Sequence, residues 1–285
     1  MTDPLDVLRA AVVPTEPDPA FAARLRARLE SALLNPKGVV MTNTEASQPV
    51  IVDESAPSEG DLAYSSLLVP DLARASAFYG TVLGWQIEDG SGSDRRIVGV
   101  TPPMGLGGDT PAATLFLCHA VDDVEAAVSR IRAAGGQAEE PVERPFGVLA
   151  DCVDNQGMRL AVLKQPPWAT RPTGQPRPGE LLYLTVQVPD SKLFRDFYGS
   201  VFGWTFTPGR IDDGWGVTGM TPMMGMHGGA DRPAVVPMYG VADVTAAVAA
   251  VRAAGGTSTE PELMPYGTTA DCVDDQGVSF YLGQV

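Results

Sequence analysis

The sequence predicts an α+β protein built from four β-α-β-β-β modules, arranged in two similar halves. The first observation is an internal repeat: residues 133–160 return as residues 253–280, and 15 of the 28 aligned positions are identical. The second is that the expected order of strands and helices also returns, 119 or 120 residues later. Such a repeat indicates a duplicated structural unit. Any function must therefore be compatible with two related sites.

The first module begins with an apolar stretch at residues 62–69, which predicts a strand. A helix follows, since Asp71 is a good N-cap and Gly84 a good helix end. Its expected buried stripe is Leu72, Ala75, Tyr79, Val82 and Leu83. Three short strands are predicted after it, at residues 85–88, 95–101 and 104–108.

The second module repeats this order. Residues 113–118 predict a strand, and Asp122 or Asp123 caps a helix that runs to Ala134 before two glycines. Strands are then expected at residues 137–140, 147–153 and 158–164.

These modules define the expected domains. We predict a first domain at residues 61–164, a Pro-rich linker at 165–179 and a second domain at 180–285. Residues 1–60 have no counterpart in the repeat and predict an N-terminal helical extension with a polar linker. Its helix, over residues 18–34, could dock on a partner or second subunit, or pack on the protein's own body. The sequence leaves both open.

The charge and hydropathy of the chain restrict its partners. A net charge of −15 argues against binding to nucleic acids or anionic membranes, which both need basic surfaces. No apolar run reaches 18 residues, so no membrane span is expected. The N-terminus lacks the apolar core of a signal peptide, and the cytoplasm is the expected location. Three cysteines without CxxC spacing predict buried hydrophobic residues.

The ordered motifs resemble one known superfamily. In the first half they are VPD at 69–71, FYG at 78–80, LGW at 83–85, AVDDV at 120–124 and DNQG at 154–157, and the second half carries matching motifs. Over residues 61–283 the chain resembles the vicinal oxygen chelate superfamily of glyoxalases, bleomycin resistance proteins and extradiol dioxygenases. It is most similar to two-domain glyoxalase-like proteins of actinobacterial type. The resemblance implies two glyoxalase-like half-barrel domains, each with a ligand inside a cupped sheet.

The resemblance also implies where metal ligands would lie. The corresponding positions hold Tyr64, Phe116 and Ala161 in the first half, and Tyr183, Val236 and Tyr281 in the second. None of these is a usual ligand for a divalent metal, which in this superfamily is held by imidazole or carboxylate groups. We therefore expect no metal and no cofactor.

The candidate ligand-binding residues are those expected to face the cups. Tyrosines would supply stacking area and hydroxyl groups, and methionines repack around irregular ligands. The candidates are Tyr64, Ser66, Phe116, Tyr183, Thr185, Met224, Met226 and Tyr281. The alternative is that these tyrosines and methionines only fill the core. Asp61 and Glu180 are expected to be solvated acids at strand starts.

Three functions remain open. The first is a metal-independent protein that binds an apolar or aromatic small molecule. The second is a glyoxalase-like lyase or dioxygenase with a rearranged metal site, in which His227 or His119 would take part. The third is a regulatory or interaction module that acts through the helix at residues 18–34. The sequence does not decide whether the chain is an enzyme, or whether its sites form within one chain or across a homodimer.

Overall fold

The computed structural model describes residues 57–90, 94–108, 114–164 and 175–285. Residues 54–285 belong to one compact unit that contains both halves of the repeat. The helix predicted at residues 18–34 and most of the predicted linker at 165–179 lie outside the described residues.

The described elements follow the predicted order in both halves. The first half consists of β1 (Leu62–Leu68), α1 (Leu72–Leu83), β2 (Gln86–Asp89), β3 (Asp94–Val98), β4 (Met104–Gly107), β5 (Thr114–Ala120), α2 (Val124–Ala133), β6 (Gln137–Ala138), β7 (Val142–Arg144), β8 (Gly147–Val153) and β9 (Arg159–Lys164). The second half consists of β10 (Leu181–Gln187), α3 (Ser191–Phe202), β11 (Thr205–Pro208), β12 (Gly214–Thr218), β13 (Met223–His227), β14 (Ala234–Val241), α4 (Val244–Ala253), β15 (Thr257–Ser258), β16 (Glu262–Met264), β17 (Gly267–Val273) and β18 (Ser279–Gln284). Two short strands, β7 and β16, were not predicted; each forms a hairpin with the strand that follows it.

The helix boundaries come from local chemistry. The carboxylate of Asp71 accepts hydrogen bonds from two backbone N–H groups in the first turn of α1. The same helix ends at Gly84, whose φ of 69° is left-handed and therefore favours glycine. Asp190 and Gly203 do the same for α3. Because these signals are local, the sequence placed α1 and α3 correctly.

The two modules of one half share a single sheet. Strand β1 pairs antiparallel with β5, giving the order β2-β3-β4-β1-β5-β9-β8-β6, with β7 paired to β8. The second half repeats this order from β11 to β15, with β16 paired to β17. Thus each half closes its own cupped sheet, and the α+β fold of two glyoxalase-like half-barrels is confirmed.

The helices of the two halves pack against each other. Helix α1 contacts α4, and α2 contacts α3, so each contact joins one half to the other. The largest fully buried side chains include Tyr79, Tyr198, Tyr239, Phe197 and Phe280, all in one hydrophobic core. None of the helices in the described part of the chain is long and apolar enough to cross a membrane.

The repeated Asp-x-Gln-Gly turn also joins the halves. Oδ1 of Asp154 accepts the backbone N–H groups of Gln156 and Met158, each at 2.8 Å, and its Oδ2 accepts the phenol of Tyr198 at 3.3 Å. The amide of Gln156 then bonds both backbone groups of Asp190, the N-cap of α3. This turn therefore holds the first half to a helix start in the second half.

The second copy of the turn makes the same contacts in the opposite direction. Asp274 accepts the phenol of Tyr79 at 3.1 Å, and the amide of Gln276 bonds both backbone groups of Asp71. Asp275 adds a salt bridge to Arg74 at 2.9 Å. The repeat that dominates the sequence is thus an interface between the halves.

Two acids at the strand starts correct an expectation from the sequence. Asp61 and Glu180 are buried, not solvated. Oδ1 of Asp61 accepts the backbone N–H of Thr221, from the other half, at 2.7 Å. Glu180 forms a salt bridge with Arg177 at 2.6 Å. Both acids are buried because they lie where the two halves meet, which the local sequence does not reveal.

His119 lies in the same interface and not in a cup. Its Nδ1 is 3.0 Å from the carbonyl oxygen of Gly60, and its ring packs against Phe202 and Trp204 of the second half. Burial lowers the pKa of His119 to about 4, although the bond to Gly60 opposes this shift. Because the ring is enclosed on all sides, His119 is a structural residue and not a general base for a ligand in a cup.

This burial predicts a pH-dependent stability. The unfolded chain binds a proton at His119 near pH 6.5, whereas the folded chain does so only near pH 4, so acid favours unfolding between these values. We expect a loss of about 2 kcal/mol on going from pH 7 to pH 5. Urea unfolding at both pH values should show this loss in the unaltered protein but not in His119→Phe. Equal pH dependence of the two proteins would contradict the assignment.

Candidate functional site

Each sheet has one face packed under the helices and one face turned away from them. We call the second face the first cup in the first half and the second cup in the second half. Because side chains alternate along a strand, Leu67 of β1 enters the core while Tyr64 and Ser66 lie on the cup face. The predicted cup residues of β1 are therefore on the expected side.

The first cup contains an apolar cluster of its own side chains. Ala63, Cys118, Ala120, Ala161 and Leu163 form a separate apolar cluster, and Tyr64, Phe116 and Leu149 pack against it. This cluster brings together all three positions at which the superfamily resemblance would place metal ligands. Apolar packing occupies the place of the implied ligands.

A tyrosine closes the floor of the first cup. A Cβ atom added to Gly105 would lie 2.1 Å from the Tyr64 hydroxyl, so the phenol reaches across β4 at its glycine. Burial is the main cause that raises the pKa of Tyr64, and the charge of Asp94 adds to it, while a hydrogen bond to Ser66 opposes the shift. The phenol is therefore neutral and points along the sheet.

The second cup contains a cavity of about 380 Å³. Its lining is Gln187, Val236, Thr257, Ser258, Thr259, Asp271, Cys272, Val273, Ser279, Phe280 and Tyr281. Three of these differ in size or polarity from their counterparts in the first cup. Val236 replaces Phe116, Ser279 replaces Arg159, and Gln187 replaces Leu68. These exchanges remove two large side chains and one cation from the cup face and add an amide.

Two tyrosines line the floor and wall of the second cup. Tyr183 lies over Gly225 as Tyr64 lies over Gly105, with its hydroxyl 2.0 Å from a Cβ placed on the glycine. Burial raises the pKa of Tyr183, with Tyr266 as a smaller cause. Burial also raises the pKa of Tyr281, and the charge of Asp271 raises it further. Both phenols therefore stay protonated and can donate hydrogen bonds.

The rim of the second cup is bridged by a cation and an aromatic ring. Arg210 lies between β11 and β12, and Tyr266 lies between β16 and β17. The guanidinium carbon of Arg210 is 5.8 Å from the centroid of the Tyr266 ring, within the range of a cation–π contact. Tyr266 is 61% exposed, so its ring is available at the mouth of the cup.

Two predicted ligand-binding residues lie on the wrong face. Met224 and Met226 are almost fully buried in the core under the helices. Gly225, between them, pairs with Thr185 in the register of β10 and β13 and faces the cup. The prediction failed because a one-residue shift in register moves every side chain to the opposite face. Thr185, Tyr183 and Tyr281 remain on the cup side.

His227 lies at the end of β13, next to Gln187 in the register. Its Nδ1 is 3.1 Å from the carbonyl oxygen of Gly228. Asp213 is close by and accepts hydrogen bonds from Ser191 at 2.5 Å and Trp215 at 3.2 Å. Those bonds are the main causes that lower the pKa of Asp213, and His227 contributes less. Within the described lining of the cavity, neither histidine is present.

The residues at the implied metal positions do not fit a divalent cation. In the second cup they are Tyr183, Val236 and Tyr281, which offer two protonated phenols and an aliphatic group; in the first cup they are a phenol and two apolar groups. Divalent metals in such sites need imidazole or carboxylate donors. Across the described ranges, no group of three His, Cys, Asp or Glu side chains could hold a metal ion.

Sequence reasoning missed several cavity residues. Gln187, Thr257, Thr259, Asp271 and Ser279 were not candidates, although all of them line the second cup. One signal could have found some of them. The two halves differ at Leu68 and Gln187, and at Arg159 and Ser279, so a comparison of the copies marks the positions at which one cup has changed.

Comparisons with known proteins agree with this architecture. Residues 61–162 match the family model of the Glyoxalase/Bleomycin resistance protein/Dioxygenase superfamily. The chain is 30% identical over 258 residues to the anthracycline biosynthesis protein DnrV of Streptomyces peucetius, covering 78% of this chain and 92% of that protein. Anthracycline biosynthesis protein DauV of Streptomyces sp. strain C5 is 28% identical with the same coverage.

A solved structure gives the same fold. The Mn(II)-bound glyoxalase from Novosphingobium aromaticivorans superposes with a TM-score of 0.64 at 15% identity, covering 80% of this chain and 83% of that one. At this identity the similarity concerns the fold alone.

Proposed function

Because the chain belongs to the glyoxalase, bleomycin resistance protein and dioxygenase superfamily, we propose that it binds a planar aromatic small molecule in the second cup without a metal ion. The observation that carries this proposal is the cavity of about 380 Å³, lined by a tyrosine and several polar groups. Its volume falls within the range of about 300–1,000 Å³ that is typical of small-molecule sites.

The chemistry of the lining supports an aromatic ligand with oxygen substituents. Tyr281 offers a ring for stacking and a protonated phenol for donation. Gln187, Thr257 and Ser279 add neutral donors and acceptors. Such a set suits quinones, phenols and ketones on a flat ring system.

The relatives narrow the ligand class. Two proteins that match most of this chain are named anthracycline biosynthesis proteins, and anthracyclines contain a fused aromatic ring system. We extend the proposal to polycyclic aromatic compounds of this type. One ligand per chain is expected, in the second cup, because the corresponding face of the first half carries an apolar cluster with Tyr64 and Phe116 packed against it.

The alternative of a glyoxalase-like lyase or dioxygenase is not our proposal, because the residues at the superfamily's metal positions do not supply its donors. The alternative of an interaction module rests on residues 18–34, which lie outside the described residues.

The proposal is tested by titrating a tetracyclic anthracycline aglycone into protein kept in EDTA, with ligand fluorescence and calorimetry as readouts. We expect one site per chain. Tyr281→Ala, which copies Ala161 of the first cup, should weaken binding about 5- to 30-fold, corresponding to about 1–2 kcal/mol for a lost aromatic contact. Its Tm should be measured alongside to show that the variant is folded.

The matched control is Tyr64→Ala, which removes a tyrosine from the first cup and should leave the affinity unchanged. Absence of binding in EDTA with recovery on adding Mn²⁺, Zn²⁺ or Fe²⁺ would reject the metal-independent site. Equal losses in the two variants would reject the second cup as the site.

A further inference from the structure

One carboxylate in the second cup has no partner of its own. Asp271 lies on the cup face of β17 and lines the cavity. Its backbone N–H donates to Oγ1 of Thr259 at 3.0 Å. Within the described part of the chain, its side chain makes no hydrogen bond or salt bridge. The described lining contains three ionisable side chains: Asp271, Cys272 and Tyr281. Because the pKa values of Cys272 and Tyr281 are raised, both stay protonated. The described lining therefore contains a single carboxylate.

The first cup has the equivalent acid, but with an arginine on the same face. Asp151 is the counterpart of Asp271, and both are exposed on the cup face. In the first cup, Asp151 pairs with Ala161 of the neighbouring strand. Arg159 is two residues from Ala161 on that strand, so its side chain lies on the same face as that of Asp151. The second cup has Ser279 at that position. Only the second cup therefore keeps the acid and lacks the arginine.

Two arginines of the second half are engaged with other groups. Arg252 bonds Glu260 at 2.8 Å and the Ser258 hydroxyl at 3.0 Å, and it also bonds the backbone carbonyls of Ser258 and Thr259. Arg210 lies over the ring of Tyr266 at the rim. Neither guanidinium pairs with Asp271. Asp271 acts electrostatically on the cavity lining: after burial, its charge is the next cause that raises the pKa of Tyr281.

We infer that the second cup selects aromatic ligands that carry a protonated amine, with Asp271 as the counter-ion. This inference rests on the proposed function. An ammonium group near the carboxylate gains a charge-assisted hydrogen bond, and the hydroxyls of Thr257, Thr259 and Ser279 can accept its other protons. A neutral ligand leaves the carboxylate partly desolvated without compensation. A negative ligand is repelled, and the net charge of −15 adds to this preference.

Three fluorescent probes of nearly equal shape test the inference: 9-(aminomethyl)anthracene, 9-anthracenemethanol and 9-anthracenecarboxylate, which are cationic, neutral and anionic at pH 7. The unaltered protein should bind the amine about 5- to 20-fold more tightly than the alcohol, the scale of a charge-assisted contact at a half-open site. The carboxylate should bind most weakly. Added salt should weaken binding of the amine and leave the alcohol unaffected.

The decisive variant is Asp271→Asn, which keeps the shape of the side chain and removes its charge. It should abolish the preference for the amine and leave the affinity for the alcohol within about twofold. Asp151→Asn, the same change in the first cup, is the matched control and should alter neither affinity.

The outcomes separate the two proposals. Equal binding of amine and alcohol by the unaltered protein, or a preference that survives in Asp271→Asn, overturns the selection for cations but leaves aromatic binding intact. Loss of the preference in Asp151→Asn as well would assign it to the overall charge of the protein. If none of the probes and no anthracycline aglycone binds, the proposed function itself fails.

Discussion

Replacing Phe280 by alanine is expected to lower the free energy of unfolding by about 3–5 kcal/mol, the range for truncating a buried aromatic side chain. Phe280 is fully buried, and its ring centroid is 6.2 Å from that of Phe78 and 5.7 Å from that of Tyr79, both from the other half. The variant would leave a void in the aromatic cluster that joins the halves, and it would lose edge-to-face contacts as well.

Urea unfolding followed by tryptophan fluorescence and circular dichroism measures this effect. Ser279→Ala, one residue earlier on the same strand, is the control. Ser279 faces the second cup, so its loss should change stability by no more than about 0.5 kcal/mol. A cost below about 1 kcal/mol for Phe280→Ala would show that this cluster does not hold the halves together.

Replacing Ser279 by arginine is expected to weaken binding of an aromatic ligand by about 30-fold or more. The change gives the second cup the residue that the first cup has at Arg159. An arginine at this position would lie on the same face as Asp271, pair with its carboxylate and fill part of the cavity with its long side chain. Stability should change little, because the position is open to solvent.

The same titration as for the unaltered protein measures this loss, with Tm as the test of folding. Arg159→Ser in the first cup is the reciprocal control and should leave binding to the second cup unchanged. Full affinity in Ser279→Arg would place the ligand elsewhere.

Much of the fold could be predicted because its signals are local or repeated. Asp71 and Gly84 mark the ends of α1 by capping chemistry that needs no tertiary context. The duplicated motifs then assign the same elements to the second half. Strands β7 and β16 were missed because three-residue strands that are mostly exposed have no hydrophobic alternation to reveal them.

The site was harder to predict because it depends on register and on packing. The sequence does not show whether Met224 or Gly225 faces the cup, since both choices are consistent with an apolar strand. It also does not show that Tyr64 and Tyr183 each lie across a glycine of the neighbouring strand. Which cup stays open depends on residues from several strands, and these are far apart along the chain.

The burial of His119 and of Asp61 was not predictable for a related reason. Both are buried by residues of the other half, and no local pattern predicts how two repeats will pack. The placement of such polar residues therefore becomes clear only when the contacts between the halves are known.

The reciprocal contacts of the Asp-x-Gln-Gly turns have a consequence for the history of the chain. Gln156 bonds the N-cap at Asp190 while Gln276 bonds the N-cap at Asp71, so each half contributes the same two surfaces to the interface. This is the isologous arrangement of a two-fold symmetric dimer, here joined into one polypeptide. Subunits encoded by a single gene must change together, whereas fused copies can diverge. The two cups have accordingly diverged: the first holds Phe116 and Arg159 where the second, which contains a cavity, holds Val236 and Ser279.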